Sequence, residues 1–261
     1  MIATNKSSLF SVSISHIVLG TGDPDAATAF LERIGYEVNS RATSIPNPSE
    51  KEHFVRNRMS KTVDMRLMRA PNGRPPIEIL TEDIDYLSET NAIPSFELLI
   101  DDSTWPPIAD NKINSANTSF HRFGIRQIDA RLKRSKNLAL AVYCPSLDET
   151  IDFWRCLGFA AELNDQGDVR VTFQRTLVGA GLELILLRSS KAPTITDLDQ
   201  EGIVCLSLLC KDADAMQNHL VDKGYEPSHC FDLTPMGRSL KIFFVRGPGN
   251  AIYEFLSLAK N

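Results

Sequence analysis

Apolar runs of strand length and amphipathic stretches of helix length recur along this chain in one fixed order. Ser13-Ile-Ser-His-Ile-Val-Leu-Gly20 precedes Asp23-Pro-Asp-Ala-Ala-Thr-Ala-Phe-Leu-Glu-Arg-Ile-Gly35-Tyr36. Asn137-Leu-Ala-Leu-Ala-Val142 precedes Ser146-Leu-Asp-Glu-Thr-Ile-Asp-Phe-Trp-Arg-Cys-Leu-Gly158-Phe159, and Gly202-Ile-Val-Cys-Leu-Ser-Leu-Leu209 precedes Asp212-Ala-Asp-Ala-Met-Gln-Asn-His-Leu-Val-Asp-Lys-Gly224-Tyr225. In each unit an apolar run suited to a buried strand leads to an Asp or Ser able to cap a helix. The helix then sets its apolar residues on one face: Ala27, Phe30, Leu31 and Ile34 in the first unit, Ile151, Trp154 and Leu157 in the second. A glycine followed by an aromatic residue ends each helix, since glycine takes the left-handed conformation of a helix stop at least cost.

The spacing is constant. Counting 19 residues back from Gly35, Gly158 and Gly224 reaches His16, Ala139 and Cys205, each inside its opening strand. Downstream, each unit closes on an acid-bearing strand: Pro76–Leu80 with Glu78, Leu182–Leu186 with Glu183, and Ile252–Leu256 with Glu254. Each unit therefore reads as βαβββ, which makes the fold α+β. Between the first and second units, residues 92–136 read as a further unit cut short, with strands at Ser95–Ile100 and Ile125–Leu132 and a proline-opened helix slot at Trp105–Ile113. The polar, basic Lys133–Lys136 marks the expected boundary between two domains, 8–133 with the truncated module and 134–261 with two complete ones. Residues 40–63 and 189–200, rich in Ser, Asn, Thr and Pro, read as surface loops.

Composition narrows the function classes. The 261 residues suffice for two small domains, and 43% hydrophobic with 23% charged residues is an ordinary globular balance. A net charge of −5 without a basic run argues against nucleic acid as partner. The longest apolar stretches, such as Leu182–Leu187, are far shorter than the ~20 residues of a membrane helix, and Met1–Phe10 lacks a signal-peptide pattern, so a cytoplasmic protein without a membrane partner is expected. The five cysteines show no Cys-x-x-Cys pair and read as reduced, mostly buried thiols.

The run Ile14-Ser-His16-Ile-Val-Leu-Gly-Thr-Gly-Asp-Pro-Asp25 and the closing Phe243-Phe-Val-Arg-Gly-Pro-Gly-Asn-Ala-Ile-Tyr-Glu254-Phe-Leu256 resemble the vicinal oxygen chelate superfamily, which includes glyoxalase I, extradiol dioxygenases, methylmalonyl-CoA epimerase and the bleomycin resistance proteins. The resemblance implies tandem βαβββ modules paired into half-open barrels, each able to cup a divalent metal. The ligands then come from a module's first strand, often His, and its last strand, often Glu. Carried over, His16 and Glu78 match in the first module, while the truncated module offers only Pro94 and Ser95 near its first-strand slot. In 134–261, Glu183 and Glu254 match, and Ala139 and Cys205 stand where a first-strand ligand is usual.

With modules paired inside each half, neither half has four ligands. The implied ligand pocket is then Ala139, Glu183, Cys205 and Glu254, and the candidate metal ligands are His16, Glu78, Glu183 and Glu254, for zinc, manganese or iron. The incomplete sets favour a glyoxalase-like protein that binds an apolar or aromatic small molecule without metal. The alternative is a metal-dependent lyase, isomerase or epimerase, or extradiol dioxygenase of the same superfamily. A homodimer is left open. Plainer roles compete: Glu183 and Glu254 bonded to one another or to Arg238 and Lys241, His16 bonded to Glu78, Trp154 as core, His229-Cys230 as incidental, and Gly247–Asn250 as a tight turn.

Overall fold

The computed structural model describes residues 12–57, 59–69, 74–81, 93–100, 123–127, 138–163, 169–172, 182–194 and 196–259. The helix slot at 105–113 and the boundary at 133–136 lie outside them. The first module is β1 (Ser13–Gly20), α1 (Pro24–Arg33), β2 (Glu37–Pro46), β3 (Thr62–Arg69) and β4 (Ile77–Thr81). Of the truncated module, β5 (Phe96–Ile100) and β6 (Ile125–Gln127) are described. Next come β7 (Leu138–Cys144), α2 (Leu147–Cys156), β8 (Ala160–Leu163), β9 (Val169–Thr172) and β10 (Leu182–Arg188). The last module is β11 (Gly202–Leu209), α3 (Ala213–Asp222), β12 (Phe231–Leu233), β13 (Leu240–Arg246) and β14 (Ile252–Leu258).

The helices start and stop where the sequence places them. The side chains of Asp23, Ser146 and Asp212 accept from the backbone N–H of Ala26, Glu149 and Ala215, satisfying amides that the first turn leaves free. Pro24 opens α1, where its missing N–H costs nothing. Gly35, Gly158 and Gly224 end the three helices at φ of 91, 89 and 86°, a region closed to most side chains.

Module pairing differs from the expectation. An eight-stranded sheet runs β12-β13-β14-β11-β1-β4-β3-β2, and a six-stranded sheet runs β6-β5-β7-β10-β9-β8. The first module thus pairs with the last through antiparallel β1 and β11, and the truncated module pairs with the one that follows it through β5 and β7. Residues 134–261 do not form a self-contained pair of modules. The expected loop at 40–63 is corrected as well: β2 continues to Pro46, a 3-10 turn covers Ser49–Phe54, and β3 begins at Thr62. Ala42 and Ile45 pack onto the sheet's apolar cluster, which outweighs the polar composition of the stretch.

The outward faces of both sheets and the buried sides of the three helices share one core. At its centre the ring of Tyr253, from β14, meets Phe96 of β5 edge-on at 5.6 Å and Trp154 of α2 at 5.6 Å. Trp154 is fully buried, as expected of a core residue. Gly249 and Asn250 adopt φ of 69 and 63° in the turn before β14. The opposite, concave faces carry smaller clusters of their own, one around Val18, Met65, Cys205 and Ile252 and one around Leu99, Ala139, Ala141 and Ile185. Among the described residues no helix is long and apolar enough to cross a membrane.

Candidate functional site

The concave face of the eight-stranded sheet has a polar centre in an apolar surround. Two register shifts shape β1 against β11, one between Ile14 and His16 and one between Val18 and Leu19. Such irregularities re-aim side chains, and here His16 and Val18 both belong to the concave side while Ile14, Ile17 and Leu19 belong to the shared core. His16 lies across from Ser207, Val18 across from Cys205, Glu78 beside Val18, and Glu254 beside Ser207. Four adjacent strands, β14-β11-β1-β4, therefore deliver Glu254, Cys205, His16 and Glu78 to one patch.

His16 Nε2 stands 3.0 Å from Glu78 Oε2 and 3.5 Å from Glu254 Oε2, with all three side chains less than one-fifth exposed. Despite these distances Nε2 makes no aligned hydrogen bond among the described residues. On the other side of the ring, Nδ1 is 3.0 Å from the hydroxyl of Ser15, the residue at the first register shift. With Nδ1 turned to that hydroxyl, Nε2 is the ring nitrogen that faces the two carboxylates.

Burial and charge set the three groups apart. Burial opposes a charged His16, but the charge of the Glu78 carboxylate, then that of Glu254, outweighs it and raises the imidazole above its ordinary value. Burial likewise pushes Glu78 up, and the charge of His16, with help from Lys51, brings it below the usual carboxylate range. Glu254 ends above that range: burial and repulsion from Glu78 prevail over His16, Ser207 and Lys51. Burial first, then the charge of Glu254, holds the Cys205 thiol well above its ordinary value, so it presents a neutral thiol.

A cavity opens over this patch, with an inner space of about 60 Å³. Its polar lining is His16, Glu78, Glu254 and Lys51, and its walls include Val63, Met65, Leu233 and Leu240.

The expected pocket of Ala139, Glu183, Cys205 and Glu254 is divided between two sheets. Cys205 and Glu254 join His16 and Glu78, whereas Ala139 and Glu183 are register partners on β7 and β10 of the six-stranded sheet. Of the candidate metal ligands, His16, Glu78 and Glu254 converge and Glu183 is elsewhere. The expectation that Arg238 and Lys241 would balance Glu254 is not met: Lys241 pairs with Asp214 at 2.6 Å, and Glu254 meets His16. Lys51, Ser15 and Ser207 were not anticipated. Pro48-Ser49-Glu50, a turn-opening composition before Lys51, is the signal that could have lifted the 3-10 turn out of a supposed loop. Among the described residues no three His, Cys, Asp or Glu side chains are already arranged to hold a metal ion; what they form is one imidazole nitrogen shared by two carboxylates.

The structure is similar to that of glyoxalase I from Zea mays, with a TM-score of 0.55 at 14% identity over 96% of this chain and 94% of that one. It is also similar to a Bacillus subtilis protein assigned as a dioxygenase, with a TM-score of 0.56 at 12% identity over 95% of this chain and 86% of that one. These likenesses establish the vicinal oxygen chelate fold along nearly the whole chain. No family model matches the sequence, and no curated protein does.

Proposed function

We propose that the chain is a metal-assisted enzyme that moves a carbon-bound proton on a small, oxygen-bearing substrate, a lyase or isomerase type of reaction. The observation that carries this reading is the buried Nε2 of His16, facing two carboxylate oxygens at 3.0 and 3.5 Å without an aligned hydrogen bond, at the base of a cavity. An imidazole with two carboxylates suits a hard or borderline dication such as zinc, manganese or iron. Bringing the three donors about one ion is a matter of side-chain torsions, because their strands are already neighbours in one sheet. His16, Glu78 and Glu254 would hold the ion, and bound there it would polarise the adjacent oxygens of a substrate.

The two carboxylates divide the remaining work. Glu78, held below the usual carboxylate range, stays ionised beside His16. Glu254, the farther of the two from the imidazole at 3.5 Å against 3.0 Å, is the carboxylate that would accept a substrate proton. The apolar walls exclude water from the proton in transit.

Calorimetric titration of chelator-treated protein with manganese and with zinc is the test. One equivalent should bind, and His16→Ala and Glu254→Gln should each lose it. In deuterium oxide, the loaded protein should exchange the carbon-bound proton of small α-hydroxycarbonyl probes, and Glu254→Gln should not. Absence of binding in the parent would sink the metal-assisted reading and favour a metal-free binding pocket, a second reading supported by the 3.0 Å His16–Glu78 contact, close enough for the pair to hold each other without an ion.

A further inference from the structure

We propose that Lys51 determines the ligand class of this cavity, which takes a small organic anion with its carboxylate-like end on the Lys51 ammonium and its apolar body along the walls. This rests on the cavity being the substrate site and narrows what that substrate is.

The placement of Lys51 carries the inference. The residue lines the cavity together with His16, Glu78 and Glu254. It stands on the 3-10 turn Ser49–Phe54, an insertion between two edge-side strands that could have been an ordinary exposed loop. Instead the turn is anchored at several points. Phe54 is 4% exposed and packs its ring on Phe244 at 5.5 Å. The Phe54 carbonyl accepts from the Leu198 N–H at 2.8 Å, and the N–H groups of Arg56 and Asn57 donate to the buried Asp199 carboxylate at 2.7 and 3.0 Å. The Lys51 ammonium lies over the Phe244 ring, 5.6 Å from its centroid.

A lysine that served only solubility needs no such platform. Among the described residues no carboxylate pairs with Lys51, although its charge is felt by Glu78 and Glu254. A cation fixed over an aromatic face beside apolar walls has lost part of its hydration, and an incoming anion replaces it. Glu78 and Glu254 line the same cavity but are gathered about His16 rather than paired with Lys51, so an anion is confined to the Lys51 end, where the aliphatic walls add no charge of their own.

The test compares matched ligands on chelator-treated protein, so that metal plays no part. Phenylacetate and phenylacetamide, and the straight-chain C4 to C8 carboxylates with their amides, are titrated by ligand-observed NMR. At least one carboxylate should bind about tenfold more tightly than its amide, Lys51→Met should abolish that preference with an unchanged melting temperature, and Lys51→Arg should retain it. No carboxylate binder in the panel, an amide preference, or a preference that survives Lys51→Met overturns the assignment. Metal titration of Lys51→Met is run in parallel: retained metal binding with lost carboxylate preference supports both readings. Failure of metal binding alone sinks only the metal-assisted reaction.

Discussion

On the eight-stranded sheet the first-strand position is His16; at the same distance before its helix-ending glycine, the six-stranded sheet has Ala139. Around His16 stand Glu78, Glu254 and the Cys205 thiol, in a face open enough for a cavity. Around Ala139 stand Leu99, Ala141 and Ile185, all at most 2% exposed. One module plan has thus produced a concave face centred on an imidazole and two carboxylates, and another with an apolar centre beside which Glu97 accepts from the Tyr143 hydroxyl. The strands and helices are set by residues on the shared-core side, so the concave positions are free to carry chemistry or to give it up without disturbing the fold.

The strongest way to break this comparison is to separate the faces from the pairing that makes them. Expressed alone, 134–261 loses the β1 partner of β11 and the β5 partner of β7, leaving two unpaired apolar edges. It should show no cooperative thermal transition by circular dichroism, and co-expression with 1–133 should restore one. A cooperative melt of 134–261 alone would mean that its modules can pair with each other.

A smaller effect separates the two faces chemically. Cys205→His adds a first-strand imidazole to a patch that already has His16, Glu78 and Glu254. It should tighten zinc or manganese binding by about tenfold, or about 1.4 kcal/mol. Ala139→His places the same group with Glu183 in register and with Glu97, across from Ala141, already taken by the Tyr143 hydroxyl, fewer than the three protein ligands a catalytic metal needs. It should cost about 1–3 kcal/mol of stability by overpacking and add no metal affinity. Equal gains in calorimetry from both variants would erase the distinction.

The gap between sequence and structure follows from the same feature. The repeat, the helix ends and the equivalence of His16, Ala139 and Cys205 were legible, because caps, glycine stops and apolar periodicity are local. Partner choice was not. His16, Glu78, Cys205 and Glu254 were all recognised as ligand positions, but assigning modules to neighbours in sequence split them into two incomplete pairs. What selects β1 for β11 is the fit of whole strand faces, Ile14 and Leu19 against Ile203, Leu206 and Leu208 in the common core, and no short motif encodes that. Lys51 escaped notice because a polar stretch gives no sign that Phe54 is its buried anchor.

The smallest expected effect is a pH signature confined to the polar face. His16 is raised, so its share of stability is complete below the ordinary histidine range near ~6.5 and is lost as pH rises through its folded value. Glu78 is lowered, so its share is present above the ordinary carboxylate range near ~4.3 and is lost as pH falls. Glu254 is raised, so charging it costs stability as pH climbs above that range. Chemical denaturation should therefore find stability falling from mildly acidic to alkaline pH, by on the order of 1 kcal/mol at this site. His16→Gln should flatten that slope, while Ala139→Ser should leave it intact. An unchanged slope in His16→Gln would show that the imidazole is not charged in the folded protein.

Closing one sheet with strands from opposite ends of the described chain also orders events during synthesis. His16 and Glu78 leave the ribosome early, and β1 must wait for β11, then β14, before Glu254 can reach the imidazole. Contacts of such long sequence separation form late and slowly. Until then the β1 edge is open to a chaperone or to another nascent chain. The polar centre is consequently the last part of the molecule to be assembled, and a polypeptide interrupted before β14 carries two of its acidic and basic groups without ever owning the site.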